Sequence, residues 1–313
     1  MKQLFLATAA ALALIATGAF AQYPDKPIHL VVPYDPGVVD ATARVIAKGI
    51  GDYLNVPVVI DNIPGASGSI GASRVAKAAP DGYTLFYGTA TIFVQNPMFY
   101  KLTYDPQKDL APVSHALDTG LFLLVNKSLG VKNLSEFIAL AKANPGKFSY
   151  GFSGNGAQVA NEVFKRKAGL NILPVPYRSS NTSIVDLLAG RISMLLYTWS
   201  AAEQHIKAGD LVALAYTGKS RLPSAPQVPT FAESGFPGFD HTLWFGFFVP
   251  TGTPQPIVNK LNAAVNAALN DEGLKKFSDY VVKGSTVEEL GAYVRSEAEK
   301  GKVIARDLGI KPE

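Results

Sequence analysis

The chain has 313 residues, 48% of them hydrophobic and 17% charged, with 28 Gly, 21 Pro and no cysteine, a balance that excludes both a disordered chain and a collagen-like repeat. Without cysteine there are no disulfides, thiolate metal sites, iron–sulfur clusters, cysteine nucleophile or lipidated N-terminal cysteine. The formal charge of +4, from 29 Lys+Arg against 25 Asp+Glu, is spread without a basic block and gives no reason to expect a nucleic-acid partner.

Residues 1–21 read differently from the rest. Lys2 is followed by an apolar run from Leu4 to Ala16 and then by Ala19-Phe20-Ala21, the pattern of a cleavable secretory signal. The run falls short of the roughly 20 residues that a bilayer needs, and no later stretch is long and apolar enough to span one. The expectation is export to a bacterial periplasm, cleavage before Gln22, and a soluble product that is not a lipoprotein.

At about 150 residues per domain, the remaining chain suggests two lobes. Ile28–Val32, Val58–Ile60, Thr84–Tyr87, Phe122–Val125, Val212–Ala215 and Phe245–Val249 read as strands. Their apolar character is continuous, not alternating, as parallel strands covered on both faces require. Helices lie between them. Asn133 to Glu136 has a cap-x-x-Glu spacing, Thr253-Pro254 opens a run with apolar Ile257, Leu261, Val265 and Leu269, and Thr286 to Glu289 is a second capping box. The alternation predicts an α/β protein with mainly parallel sheets flanked by helices.

In such folds ligands sit on the loops beyond the carboxyl ends of the strands. Four of these loops are small, polar or aromatic: Pro33 to Asp40, Gly88 to Thr91, Gly151 to Gly156, and Tyr197-Thr198-Trp199-Ser200. Three precede a helix start, where backbone N–H groups favour an anion such as a carboxylate.

Catalytic patterns are missing from the same stretches. His29, His115, His205 and His241 are scattered, so no histidine metal site is expected. Gly151-Phe152-Ser153-Gly154-Asn155 fails the G-x-S-x-G elbow at its last position, and Gly154 to Val159 begins like a dinucleotide fingerprint but ends in Val. Asp40 stands where a helix N-cap is wanted. Nothing assembles a nucleophile, a base and oxyanion donors, which predicts a binding protein and not an enzyme, with no cofactor and no metal.

Taken together, Tyr23-Pro24-Asp25-Lys26-Pro27-Ile28, Asp61-Asn62-Ile63-Pro64-Gly65-Ala66, Ala78-Ala79-Pro80-Asp81-Gly82-Tyr83-Thr84, Ser153-Gly154-Asn155-Gly156, Val175-Pro176-Tyr177 and Trp244-Phe245-Gly246 resemble the periplasmic substrate-binding proteins of tripartite tricarboxylate transporters, the Bug family. The resemblance covers essentially everything after residue 21. It implies a two-lobed binding protein of type II-like build that closes over a small organic anion without altering it, acting as a monomer that delivers its ligand to a membrane permease. It also implies a first grip at Tyr34, Pro36, Gly37 and Asp40, a second at Ser153, Asn155 and Gly156, and hydroxyl donors at Thr89 and Thr91. The expected lobes are residues 22–121 with 248–313, and residues 122–247, hinged near Phe122 and Phe247.

Two departures from the family pattern bear on the ligand. Where P-P-G-G-S-T-D is usual, this chain has Asp35-Pro36-Gly37-Val38-Val39-Asp40, losing hydroxyls and gaining a carboxylate. Where F-D-N-L is usual, it has Tyr197-Thr198-Trp199-Ser200. One outcome is an aromatic slot of Tyr34, Phe93, Phe152, Tyr197 and Trp199 for a flat carboxylate, with Arg178 available to anchor a second carboxylate. The other is an amino acid whose ammonium pairs with Asp35. The aromatic carboxylate or dicarboxylate is the favoured expectation. The rival functions are an exported serine hydrolase using Ser153 and a ligand-sensing partner of a receptor.

Overall fold

Continuous apolar runs become strands here because helices cover both faces of each sheet. The computed structural model describes residues 23–312, so the expected signal segment lies outside the described residues. Strand β1 (Ile28–Val32) is buried at every position but His29 and leads into α1 (Val38–Leu54), which turns Ala43, Ile46, Ala47, Ile50 and Leu54 inward. There follow β2 (Val58–Asn62), α2 (Ser69–Ala76), β3 (Thr84–Thr89), a π-helical turn (Thr91–Gln95), the short α3 (Asn96–Phe99) and β4 (Leu110–Thr119). After β4 the chain builds β5 (Phe122–Asn126), α4 (Leu134–Ala143), β6 (Phe148–Phe152), α5 (Asn155–Ala168), β7 (Ile172–Pro176), α6 (Ser180–Leu188), β8 (Met194–Tyr197), α7 (Trp199–Lys207) and β9 (Leu211–Tyr216). It then returns through β10 (Leu243–Pro250), α8 (Gln255–Ala268), β11 (Val281–Val282) and α9 (Val287–Leu308).

Two sheets result, a six-stranded one ordered β11-β4-β10-β3-β1-β2 and a five-stranded one ordered β7-β6-β8-β5-β9. Each has an apolar core on both faces, giving a two-lobed α/β protein. The sheets are mixed, which corrects the expectation of mainly parallel ones. Parallel pairing joins β1 to β2 and β3, and β6 to β7 and β8. By contrast β10 runs antiparallel to β3 and β4, and β5 antiparallel to β8 and β9. The cause is the path of the chain, which leaves the first lobe along β4 and re-enters it along β10.

Local chemistry explains the elements that apolar runs did not reveal. Strand β4 contains Pro112, which lacks an N–H for the ladder; it sits at a register shift, where β10 advances from Phe247, opposite Ser114, to Phe248, opposite Pro112. Pro174 and Pro176 are tolerated in β7 because that strand is the edge of its sheet. Of the expected helix starts, Asn133 Oδ1 accepts from the Glu136 N–H at 2.9 Å, and Thr286 and Glu289 form a reciprocal capping box. Helix α8 begins at Gln255 with Pro254 as its cap, while the Thr253 hydroxyl turns back to the Pro250 carbonyl. No helix among the described residues is long and apolar enough to cross a membrane.

The two crossings between sheets meet at Thr217. Its N–H donates to the Leu121 carbonyl at 2.9 Å and its carbonyl accepts from the His241 N–H at 3.0 Å. Its hydroxyl accepts from the Leu121 N–H at 2.8 Å and donates to the His241 carbonyl at 2.9 Å. Thr217 is fully buried, so one side chain ties the outgoing strand to the returning one. All of β10, Leu243–Pro250, pairs with β3 and β4 of the first sheet.

Candidate functional site

A cleft of about 370 Å³ opens between the lobes. From the first lobe it is lined by Tyr34, Asp35, Gly37, Val38, Val39, Ser67, Thr91 and Tyr280, and from the second by Ser153, Gly154, Gly156, Ala157, Asn181, Ser183, Tyr197, Thr198 and Ala201. Leu121, Leu195, Leu196 and Leu243 add apolar surface.

The first-lobe loop is held by side chains of its own lobe. Tyr34 Oη shares a 2.9 Å hydrogen bond with Thr89 Oγ1. Burial pushes the Tyr34 hydroxyl pKa up, while bonds with Thr89 and Thr91 pull the other way, so the phenol stays protonated. Asn62 donates from Nδ2 to the Tyr34 carbonyl at 3.0 Å and to Asp40 Oδ1 at 2.9 Å. Arg44 donates to Asp40 Oδ2 at 2.8 Å. Burial raises the Asp40 pKa, but the bonds from Arg44 and Asn62 and the Arg44 charge outweigh it and hold the carboxyl below its usual value.

The β2–α2 loop reaches the cleft at Ser67. Gly65, Ala66, Ser67 and Gly68 all have positive φ, and for Ala66 and Ser67 that is a strained backbone of the kind found at ligand clamps. Asn96, fully buried, holds this loop by donating from Nδ2 to the Ser67 carbonyl at 3.0 Å and to Ser69 Oγ at 2.8 Å.

The second-lobe loops find partners across the cleft. Gly154, at φ 78°, caps α5. Asn155, the first residue of that helix, donates from Nδ2 to Asn96 Oδ1 at 3.0 Å, a buried bond between lobes. A Cβ on Gly156 would lie 3.2 Å from Thr91 Oγ1, so glycine permits the close approach. At the start of α7, the Ser200 N–H and hydroxyl donate to Asp279 Oδ2 at 3.3 and 2.9 Å. Asp279 belongs to the segment entering β11 in the first lobe and is fully buried.

Of the residues singled out from sequence, Tyr34, Asp35, Gly37, Thr91, Ser153, Gly156, Tyr197 and Thr198 line the cleft. The others do not. Thr89 lies behind Tyr34, and Asp40 is no N-cap: Gly37 takes that place, and Asp40 one turn in is occupied by Arg44 and Asn62. Phe93 is buried in the first-lobe core, its ring stacked 4.2 Å from Phe248. Trp199 is buried against Phe122 at 5.0 Å. Phe152 packs on the second-lobe core, Pro36 and Arg178 are exposed outside the lining, and Asn155 is turned toward Asn96. The aromatic slot is therefore corrected: the rings that reach the cleft are tyrosines, because large apolar rings gain more from the cores than from a wet groove.

Sequence reasoning passed over Ser67, Asn181, Ser183 and Tyr280. The first three follow the carboxyl ends of β2 and β7, where the loop rule could have found them. Tyr280 arrives from the far end of the chain on an irregular segment and had no such signal. Among the described residues no group of three or more His, Asp or Glu side chains could hold a metal ion.

The family model described as tripartite tricarboxylate transporter family receptor matches residues 42–309. The protein BugT of Bordetella pertussis is 33% identical over 318 residues, covering 98% of this chain and 96% of that one. Rpa4515 of R. palustris, solved with adipate, superposes with a TM-score of 0.84 at 34% identity, covering 93% of this chain and 100% of that chain. MatC of Rhodopseudomonas palustris, solved with bound malate, gives a TM-score of 0.80 at 30% identity, covering 90% and 100%.

Proposed function

The chain belongs to the tripartite tricarboxylate transporter receptor family, and on that premise we propose that it captures a small organic carboxylate in the periplasm by closing its two lobes and hands it unaltered to a membrane permease. The supporting observation is the cleft itself, lined from both lobes by hydroxyls, backbone and apolar walls. The carboxylate would lie at the N-terminal end of α5, against backbone N–H groups of the Ser153–Gly156 turn, where peptide dipoles favour an anion. Closure follows when the ligand makes contacts that only the closed form offers, since equal affinity for open and closed forms shifts nothing.

Among the described residues that line the cleft there is no histidine to act as a general base, which speaks against the hydrolase alternative. Adipate and malate in the related structures favour an aliphatic carboxylate over an aromatic acid, in line with the loss of Phe93 and Trp199 from the lining. The two lobes of this reading are residues 23–120 with 242–312, and residues 121–241.

The test is a thermal-shift and calorimetric screen of the purified protein against dicarboxylates, citrate, aromatic acids and amino acids. A ligand at about 100 times its Kd adds roughly 2.7 kcal/mol of stability. At least one carboxylate is expected to raise Tm; a panel without effect would overturn the proposal.

A further inference from the structure

Among the described residues, the lining carries one with a formal charge, and the charge is negative. None of the described Lys, Arg or His residues borders the cleft, and Arg178, the cation that sequence offered for a second carboxylate, is outside it. Asp35 does border it. Its neighbours in the loop are all engaged: Tyr34 with Thr89, and Asp40 with Arg44 and Asn62. The Asp35 carboxylate has no hydrogen-bond or ion-pair partner among the described residues. It sits at the mouth of the first-lobe loop, whereas the α5 N-terminus that suits a carboxylate belongs to the second lobe.

We infer that the ligand is a zwitterion, one carboxylate facing the second lobe and a cationic nitrogen facing Asp35, with an apolar body against Val38, Val39, Leu195, Leu196 and Leu243. Such a molecule complements each jaw with the charge it lacks. Closing over a dicarboxylate instead brings a second anion toward Asp35 as water leaves, and like charges cost more as the effective dielectric falls. The inference rests on the carboxylate-capture reading and specifies what the other end of the ligand carries.

The experiment is calorimetry of the purified protein and its Asp35→Asn variant with matched pairs: adipate and 5-aminopentanoate, glutarate and 4-aminobutanoate, 4-methylpentanoate and leucine. Within each pair the members differ by a carboxylate exchanged for an ammonium or by an added ammonium. Because Asp35 is exposed and makes no internal bond, D35N is expected to keep the wild-type Tm. In the wild type at least one amino member is expected to bind tenfold or more tightly than its partner, and D35N to reduce that ratio at least tenfold. Preference for the members without nitrogen, or an amino preference that D35N leaves intact, overturns the zwitterion while carboxylate capture stands. Silence of all six compounds with both proteins overturns the zwitterion, while capture stands or falls on the wider carboxylate panel.

Discussion

The two loops that face each other across the cleft are anchored in opposite ways. In the first lobe, Tyr34, Asp40, Asn62 and Thr89 bond to one another, so the Pro33–Gly37 turn is preformed whatever the other lobe does. In the second lobe, Asn155 at the head of α5 and Ser200 at the head of α7 bond to Asn96 and Asp279 of the first lobe. The first jaw's loop is tied within its own lobe, whereas the second, besides the Tyr197–Asn181 bond inside it, bonds to its opposite at two helix starts. Perturbing the first should therefore register as lost fold stability, and perturbing the second as lost ligand affinity.

The largest effect is expected at Asp40. Asp40→Ala removes the acceptor of both Arg44 and Asn62 in a buried position. The Arg44 side chain is 53% exposed, so its ion pair is discounted for solvent, leaving a loss of about 2 kcal/mol, mainly from the broken hydrogen bonds. Thermal and urea denaturation should both report it. The folded pKa of Asp40 is depressed, so its stabilisation is fully present above the unfolded value of about 3.9 and is lost as pH falls through the folded pKa. The Tm gap between wild type and variant should hold at neutral pH and close in acid. A gap independent of pH would mean that the carboxylate charge contributes nothing.

Next comes Asn155. Asn155→Ala deletes the bond to Asn96 without touching the cleft lining, at a cost of roughly 1.4 kcal/mol, or tenfold in Kd. The same factor is expected for every ligand, because on the proposed closure what is lost is a contact between the lobes and not one to the ligand. A factor that changes from one ligand to another would place the carboxamide on the ligand and dissolve the contrast between the jaws.

Much of this arrangement was legible in the sequence, for a physical reason. Buried strands and capped helices write themselves locally: Ile28–Val32 is apolar because both its faces are covered, and Thr286 with Glu289 satisfies the same N–H groups in any context. Loops beyond strand ends are also local, which is why the stretches that bring Gly37, Thr91, Ser153 and Gly156 to the cleft lining stand out in the sequence. What sequence could not separate is which way a side chain on such a loop turns. Phe93 and Thr91 are two residues apart, yet one is in the core and the other in the cleft, a choice made by packing against Trp244 and Phe248 from a strand about 150 residues later. The bonds of Asn96 to Asn155 and of Ser200 to Asp279 are equally non-local. Pro112 and the paired prolines of β7 hid two strands, because tolerance of proline depends on a bulge or a sheet edge that no window of residues displays.

The smallest effect is the most discriminating. Asp279 Oδ2 caps the start of α7 from the other lobe, and its Oδ1 is buried without a partner. Removing a cap costs about 1 kcal/mol, so Asp279→Ala should weaken ligand binding about fivefold if the bond forms as the jaws shut. Asp279→Asn retains an acceptor for Ser200 while deleting the charge that complements the helix N-terminus, worth about 0.3–1 kcal/mol; its loss should be the smaller of the two. Calorimetry beside ligand-free Tm measurements separates the possibilities. Weaker affinity with an unchanged ligand-free Tm marks a contact made on closure, whereas a lowered Tm with unchanged affinity marks one that persists when the lobes part. The second result would put Asp279 with the self-contained lobe and leave the Asn155–Asn96 bond as the contact at the cleft that marks closure.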